Sequence, residues 1–552
     1  MKKNFDTIAV FLDMSHNAVM TVPALCDFIV LSKKMGYNAV MLYMEDTYTI
    51  ESEPYFGYLR GRYTAEELKY VDEYASSLGI EIIPAIQTLG HLGSLGRWKS
   101  KFPMDTDTVL MVGEERTYEL IDKMFSTLSE IFKTRRINIG MDEAFDLGRG
   151  KYLDKNGYEP VYSIMEKHLA RVVEIGKKYG YEMQMWSDMF FRSWNDGKYY
   201  IPRCEIPKEV RDSLPKNVVP VFWDYSHWKK DDYIDMLANH RQLSEKTWFA
   251  GASWGWNSFT PINDYSIIVT RAAIDACVET GVRNLVITTW GDNGSECSRY
   301  SLLPSLHFAA QYARGVRDME VIKARFKRIV GIDFDDYILV DTPDRIAYQE
   351  KGREELEYSY QNATNFKRNP SKYMFYSDPF IGFYDPTVKL GEGKKYREYS
   401  DALTRVSKKS RKYGRVFATL AALCDCMEIK YELGFKTRAA YKKGDMEELM
   451  RLACEDYPTL VKRIGKFTEK FREGWLYENK PFGLEIQEMR LGGLAERVRS
   501  CGKRLKDYAS GKTDSIPELD ADIIGLGNGN GKSIQGYYHL DIISLNKVNN
   551  IT

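Results

Sequence analysis

The chain has no net charge: its 78 Lys and Arg are balanced by 78 Asp and Glu. That balance argues against a nucleic acid or an anionic membrane surface held by bulk electrostatics. Long apolar runs are also missing, and none approaches the ~20 residues of a membrane span. At the N-terminus Lys2 and Lys3 are followed by Asp6 and Asp13, which break the apolar run between them. No signal peptide is expected, and the expected location is cytoplasmic. Cysteine is scarce, with eight in 552 residues. Cys424-Asp425-Cys426 has the wrong spacing for a zinc knuckle. Cys26, Cys277 and Cys454 fall at apolar positions of helical stretches and read as buried free thiols.

What is present is a soluble, globular composition, 44% hydrophobic, with 38 Tyr and 10 Trp. The length calls for two or more domains. Short apolar runs recur along the first part of the chain: residues 8–12, 39–43, 80–86, 137–140, 183–186, 218–223, 248–252 and 285–289. Most are separated by stretches of helical periodicity, such as residues 22–36 and the Thr64-Ala65-Glu66-Glu67 capping box. Continuous apolar strands alternating with helices imply a parallel sheet covered on both faces. Eight such units predict an α/β fold, a (β/α)8 TIM barrel over residues 1–325. An open doubly wound sheet is the alternative. The barrel is favoured because polar and aromatic residues follow nearly every strand, and a barrel gathers all strand ends at one mouth.

Beyond the barrel, residues 326–510 predict a mainly α-helical domain, with 370–390 as an irregular loop. Support, or assembly into a homodimer, is its expected role. Residues 511–552, with the glycine run 525–531, read as an irregular tail.

Ile137–Gly140 delivers Asp142 and Glu143 to the barrel mouth, where polar residues are usually functional. On a strand, neighbouring side chains point apart, so the two acids are expected to reach different sides of one bound group. The competing reading pairs them with Arg149 or Lys151. Trp186, Trp223, Trp254 and Trp290 each fall at or just past a strand end, and indole faces pack well on the C–H faces of sugars. One such Trp is usually core; four suggest a pocket. Tyr225 and the acids Asp13, Glu45, Asp46, Asp188, Asp224, Asp292 and Glu296 offer hydroxyl-binding groups, or a cage for a divalent metal. Asp292 and Glu296 rank highest among them. His91, after the third strand, is a hydroxyl contact, a positioner or a structural histidine.

Gly140-Met141-Asp142-Glu143, Trp186-Ser187-Asp188, Trp223-Asp224-Tyr225 and Trp290-Gly291-Asp292, in that order, resemble family 20 glycoside hydrolases, the β-N-acetylhexosaminidases. The resemblance covers roughly residues 5–320. It is to the bacterial branch with the barrel first and a helical C-terminal domain. It implies exo-acting, substrate-assisted retaining hydrolysis of terminal β-linked GlcNAc or GalNAc through an oxazolinium ion. In that scheme Glu143 is the acid and base, Asp142 orients the acetamido N–H, and Tyr225 bonds the acetamido oxygen. Trp186, Trp223 and Trp254 wall the acetamido pocket, Trp290 stacks on the sugar, and Asp292 and Glu296 hold outer hydroxyls. The expected partner is a glycan or small glycoside ending in N-acetylhexosamine; no cofactor and no metal are expected. Three positions depart from the family: Asn138 and Met141 stand where His and Gly are common, and His16 stands where an Arg commonly grips sugar hydroxyls. Arg60 or Arg62 is the substitute to look for. A non-catalytic sugar-binding barrel and a metal-dependent barrel enzyme are the competing functions.

Overall fold

The computed structural model describes residues 4–98, 100–344 and 371–523. Eight strands, β1 (Thr7–Asp13), β2 (Ala39–Tyr43), β3 (Glu81–Ala85), β4 (Arg136–Asn138), β5 (Glu182–Trp186), β6 (Val218–Trp223), β7 (Trp248–Ala252) and β8 (Asn284–Thr289), form a closed parallel barrel in chain order. Closure is made by β1 on β8, with Ala9 opposite Val286. The predicted (β/α)8 class is therefore the observed one. Most strands are largely apolar because one face packs inside the barrel and the other under the outer helices; β4, Arg136–Asn138, is the exception.

The barrel interior is a packed core of alternating small and large residues. Ala9, Ala39, Ala85 and Ala250 make room for Phe11, Tyr43, Trp186 and Trp248. At the N-terminal end, Arg136 closes the barrel floor. Its Nε donates to Glu81 Oε1 at 2.9 Å, its Nη1 donates to Thr7 Oγ1 at 2.9 Å, and its guanidinium lies 5.2 Å over the Trp248 ring. Charge at that end reads as stability. The capping box is formed as predicted. Thr64 Oγ1 accepts from Glu67 N at 3.1 Å and Glu67 Oε2 accepts from Thr64 N at 3.0 Å, starting the helix Ala65–Ser77.

The chain divides into two compact units. The first comprises residues 1–253, 266–290 and 305–322; the second comprises 254–265, 291–304 and 323–552. A single cut at residue 325 would have left 254–265 and 291–304 with the barrel. The second unit is built on long helices, Gly393–Ser407, Gly414–Lys443, Tyr457–Glu478 and Leu484–Ala509.

Three expectations are corrected there. Part of 370–390 is helical: Ser371–Tyr376 is a buried helix. The start of the tail is docked, with Ile516 and Leu519 buried and Glu518 paired to Arg504 at 2.5 Å. Cys454 is exposed, because a π-helical stretch, Leu452–Asp456, interrupts the α-helical phase that periodicity assumed. Cys277 is buried and Cys26 half-buried, and all eight thiols are free. The glycine run 525–531 lies outside the described residues. Among the described residues no helix is long and apolar enough to cross a membrane.

Candidate active site

β4 ends at Asn138, earlier than the strand predicted from the apolar run. Asn138 Oδ1 accepts from Gly140 N at 2.8 Å, and the chain then turns through left-handed conformations at Gly140, Met141 and Glu143. Gly140 is required in this turn: at φ +75° a Cβ would lie 2.1 Å from Gln87 Oε1 and 2.7 Å from Ile86 O. Left-handed Met141 and Glu143 are strained positions of the kind that cluster at functional sites. The simple strand geometry expected for the acid pair is thus replaced by a tight turn.

Gln87, just past β3, holds that turn. Its Oε1 accepts from Met141 N at 3.1 Å, and its Nε2 donates to Asp142 Oδ1 at 2.7 Å and to Tyr43 OH at 3.0 Å. Tyr43 in turn donates to Glu45 Oε1 at 3.0 Å. The chain of bonds runs across the mouth from the end of β2 to the β4 turn.

His91 bridges the acid pair, with Nε2 3.4 Å from Asp142 Oδ2 and 3.8 Å from Glu143 Oε2. Burial opposes its charge, but Asp142, Glu45 and Glu143 prevail and push it up to about 10. Burial likewise opposes ionisation of Asp142, yet His91 and the Gln87 amide hold its carboxyl below the usual range. Glu143 moves the other way. Burial, then the charges of Asp142 and Asp188, push it up to about 7 against His91 and Arg192. Its tip still reaches solvent, with 37% of the side chain exposed.

Asp188, past β5, fixes Glu143 from the other side. It accepts from Glu143 N at 3.1 Å, Arg192 Nε at 3.1 Å and Trp223 Nε1 at 3.5 Å. Arg192 Nη2 stands 3.9 Å from Glu143 Oε1. Arg149 instead bonds Gly148 O at 3.0 Å and stacks over Tyr158, so the acids' cationic neighbours are His91 and Arg192.

The aromatic wall of the first unit combines Trp186, Trp223, Trp290 and Tyr225. Trp186 is only 1% exposed and belongs to the barrel core. Trp290 packs over that core, 4.7 Å from Phe11, 5.1 Å from Tyr43 and 6.0 Å from Trp186 between ring centres. Trp223 and Tyr225 are stacked at 5.3 Å and 26°. Burial, with Asp142's charge adding, holds the Tyr225 hydroxyl far above its usual range, so it stays protonated.

Asp13 is buried and serves its own loop: Oδ1 accepts from Ser15 N and Oγ at 2.8 Å each, and Oδ2 meets His16 Nδ1 at 2.6 Å. Of this pair Asp13 is buried, while His16 keeps 34% of its side chain exposed. Arg60 is nearby, held by Asp46 Oδ1 at 2.9 Å and by the Ser15 carbonyl. Arg62 is tied to the carbonyl of Phe56 in its own loop. Glu45, buried beside these groups, is raised to about 7 by burial, opposed by His16, His91 and Arg60.

The remaining three expected residues, Trp254, Asp292 and Glu296, belong to the second unit. Trp254 stacks on Trp256 at 4.1 Å. Asp292 is exposed. Glu296 departs from the hydroxyl-binding expectation. It is 1% exposed, with Lys372 Nζ 2.5 Å from Oε2, and with Arg490 Nη1 at 3.1 Å and Tyr376 OH at 3.3 Å from Oε1. It is a buried ionic anchor of the helical unit. Sequence reasoning passed over Gln87, Tyr43 and Arg192; the first two carried a signal, since both sit at the C-terminal ends of barrel strands.

The pattern described as Glycosyl hydrolase family 20, catalytic domain, matches residues 45–239, and that of the Glycoside Hydrolase 20C C-terminal domain matches residues 335–535. Hexosaminidase D of Bos taurus is 24% identical over 353 residues, covering 56% of this chain and 92% of that protein. Hexosaminidase D of Homo sapiens is 22% identical, covering 59% of this chain and 70% of that protein. Among solved structures, an exo beta-N-acetylglucosaminidase from Vibrio harveyi aligns with TM-score 0.47 at 16% identity, over 61% of this chain and 58% of that one. The two family patterns lie on the barrel and on the helical region in the order found here, and with them the chain belongs to glycoside hydrolase family 20 and is a glycoside hydrolase.

Proposed function

We propose that the chain is an exo-acting β-N-acetylhexosaminidase working by substrate-assisted retention. The observation that carries this reading is the opposite tuning of two adjacent acids, Asp142 held ionised and Glu143 poised near neutrality. Such divergence marks a division between acid and anion. A terminal β-linked N-acetylhexosamine binds with its acetamido group against Asp142 and Tyr225. Glu143 donates its proton to the glycosidic oxygen as the bond to the anomeric carbon breaks. The substrate's own acetamido oxygen attacks that carbon and forms the oxazolinium ring. Ionised Asp142 accepts the acetamido N–H and offsets the developing positive charge. Tyr225, still protonated, donates to the acetamido oxygen. Glu143, now a carboxylate, takes a proton from water, which opens the ring with net retention.

Trp186 and Trp223 wall the acetamido group in this reading, Trp290 carries the sugar face, and His91 positions both acids. His16 is the candidate for an outer hydroxyl. Catalysis is assigned to residues 1–325 and support to the helices of 326–510. Free thiols at all eight cysteines fit a reducing compartment and support a cytoplasmic location.

The test is a panel of β-glycosides with and without a chelator. An aryl β-N-acetylglucosaminide turned over equally in both arms, with its 2-hydroxy analogue inert, is expected. Equal turnover of the 2-hydroxy analogue rules out substrate assistance, and loss of activity with chelator favours a metal enzyme.

A further inference from the structure

Two residues past the acid, Phe145 projects a phenyl ring that is 60% exposed. An isolated exposed phenylalanine needs no explanation, but this one is built in. Phe145 N donates to Glu143 O at 2.8 Å, so ring and acid ride on the same tight turn. The inner side of the ring lies on Arg192, whose Cζ is 5.1 Å from the ring centre. Arg192 is itself fixed on three sides, by Asp188 Oδ2 at 3.1 Å, by the Gly197 carbonyl at 2.9 Å and by the Tyr199 ring at 5.6 Å. It also stands 3.9 Å from Glu143 Oε1. With one N–C bond of about 1.3 Å between these contacts, the ring centre lies within about 10 Å of the acid's oxygen.

We infer that the Phe145–Arg192 stack is the platform for the leaving group, and that this leaving group is a sugar whose C–H face rests on the phenyl ring. The inference rests on the hexosaminidase reading above. Glu143 must meet the glycosidic oxygen, so the departing residue begins at that acid. One pyranose spans about half the distance to the ring, and its far face then comes within reach of Phe145. The Arg192 half of the stack is held in place before substrate arrives, which reduces the ordering cost of binding. The apolar ring gives contact area, and the guanidinium edge offers N–H donors to hydroxyls of the same residue. An aromatic contact of this kind is worth about 3- to 10-fold in kcat/KM.

The experiment compares wild type, Phe145→Ala and Phe145→Trp on two substrates, N,N′-diacetylchitobiose and 2,2,2-trifluoroethyl β-N-acetylglucosaminide. The second has the same sugar to be cleaved and almost no leaving-group surface. Phe145→Ala is expected to lose at least about 3-fold more kcat/KM on the disaccharide than on the trifluoroethyl glycoside, and Phe145→Trp is expected to restore the difference. Equal losses on both substrates, or no loss on either, overturn the platform while leaving the hexosaminidase reading intact. Wild-type turnover of the trifluoroethyl glycoside alone also overturns it, since the leaving group is then not a sugar. Wild-type inertness to both refutes the hexosaminidase reading itself, and the platform with it.

Discussion

Asp142 and Glu143 share a peptide bond yet feel opposite fields. The imidazolium of His91 and the Gln87 amide favour the charged form of one, while burial and two nearby carboxylates favour the neutral form of the other. The sign of the pH dependence follows. Glu143 works protonated, so kcat/KM on substrates with poor leaving groups should fall as pH rises through about 7. Asp142 works ionised with its carboxyl held below the usual carboxylate range, so the acidic limb should lie lower than an ordinary aspartate would place it. An initial-rate profile checks both limbs, and an alkaline limb unmoved in Glu143→Gln would refute the assignment. Glu143→Gln itself should lose about 100-fold or more on an alkyl glycoside and much less on an activated aryl one. At β1, His16 stands 2.6 Å from Asp13 where the family commonly has an arginine. His16→Ala should raise KM several-fold; an unaltered KM would remove His16 from the ligand site.

The β4 turn is the element that makes this tuning available. Its register is set by Gln87, which binds Met141 N and Asp142 Oδ1 at once. Gly140→Ala would press a methyl group onto the Gln87 side chain and the Ile86 carbonyl. A cost of about 2–3 kcal/mol is expected, with loss of activity exceeding loss of fold, readable as a kcat deficit in protein that still melts cooperatively. Gln87→Leu keeps the volume but removes these bonds and the one to Tyr43, and its activity should fall about 10-fold or more. The strand leading into the turn was legible in the sequence from Ile137 and Ile139, although β4 itself is only Arg136–Asn138. The turn was not, because two of its left-handed residues are Met141 and Glu143, which carry no local signal for that conformation. His91 could be placed at the mouth but not assigned a partner, since its contact with Asp142 spans two strand ends. Trp186 shows the limit of the same reasoning, being a core residue by burial and a pocket residue by position.

For the whole molecule, chain order predicted the barrel and its closing strand but not how loops are shared out. Glu296 looked like a mouth residue because it follows Trp290 closely; its partners Lys372 and Arg490 lie far along the chain and could not be seen from the loop. Removing one partner of such a buried pair is costly. Lys372→Met should destabilise the helical unit by about 3–5 kcal/mol, visible as a lowered unfolding midpoint in denaturant. The start of the C-terminal tail matters for the same unit. Tyr441 donates to Asp520 at 2.7 Å, Arg504 grips Glu518, and Ile516 and Leu519 are buried. Truncation after Ser510 should lower the melting temperature by about 5 °C or more; an unchanged melting curve would mean that this docking contributes nothing.

The π-helical stretch Leu452–Asp456 leaves Cys454 exposed, while the other seven thiols are buried or half-buried. That makes the native sequence a ready-made reporter. A maleimide dye under brief, substoichiometric labelling should attach there first, placing one fluorophore on the helical unit without engineering. Polarisation decay or diffusion-based sizing of the labelled protein then reads its assembly state directly in a crude extract.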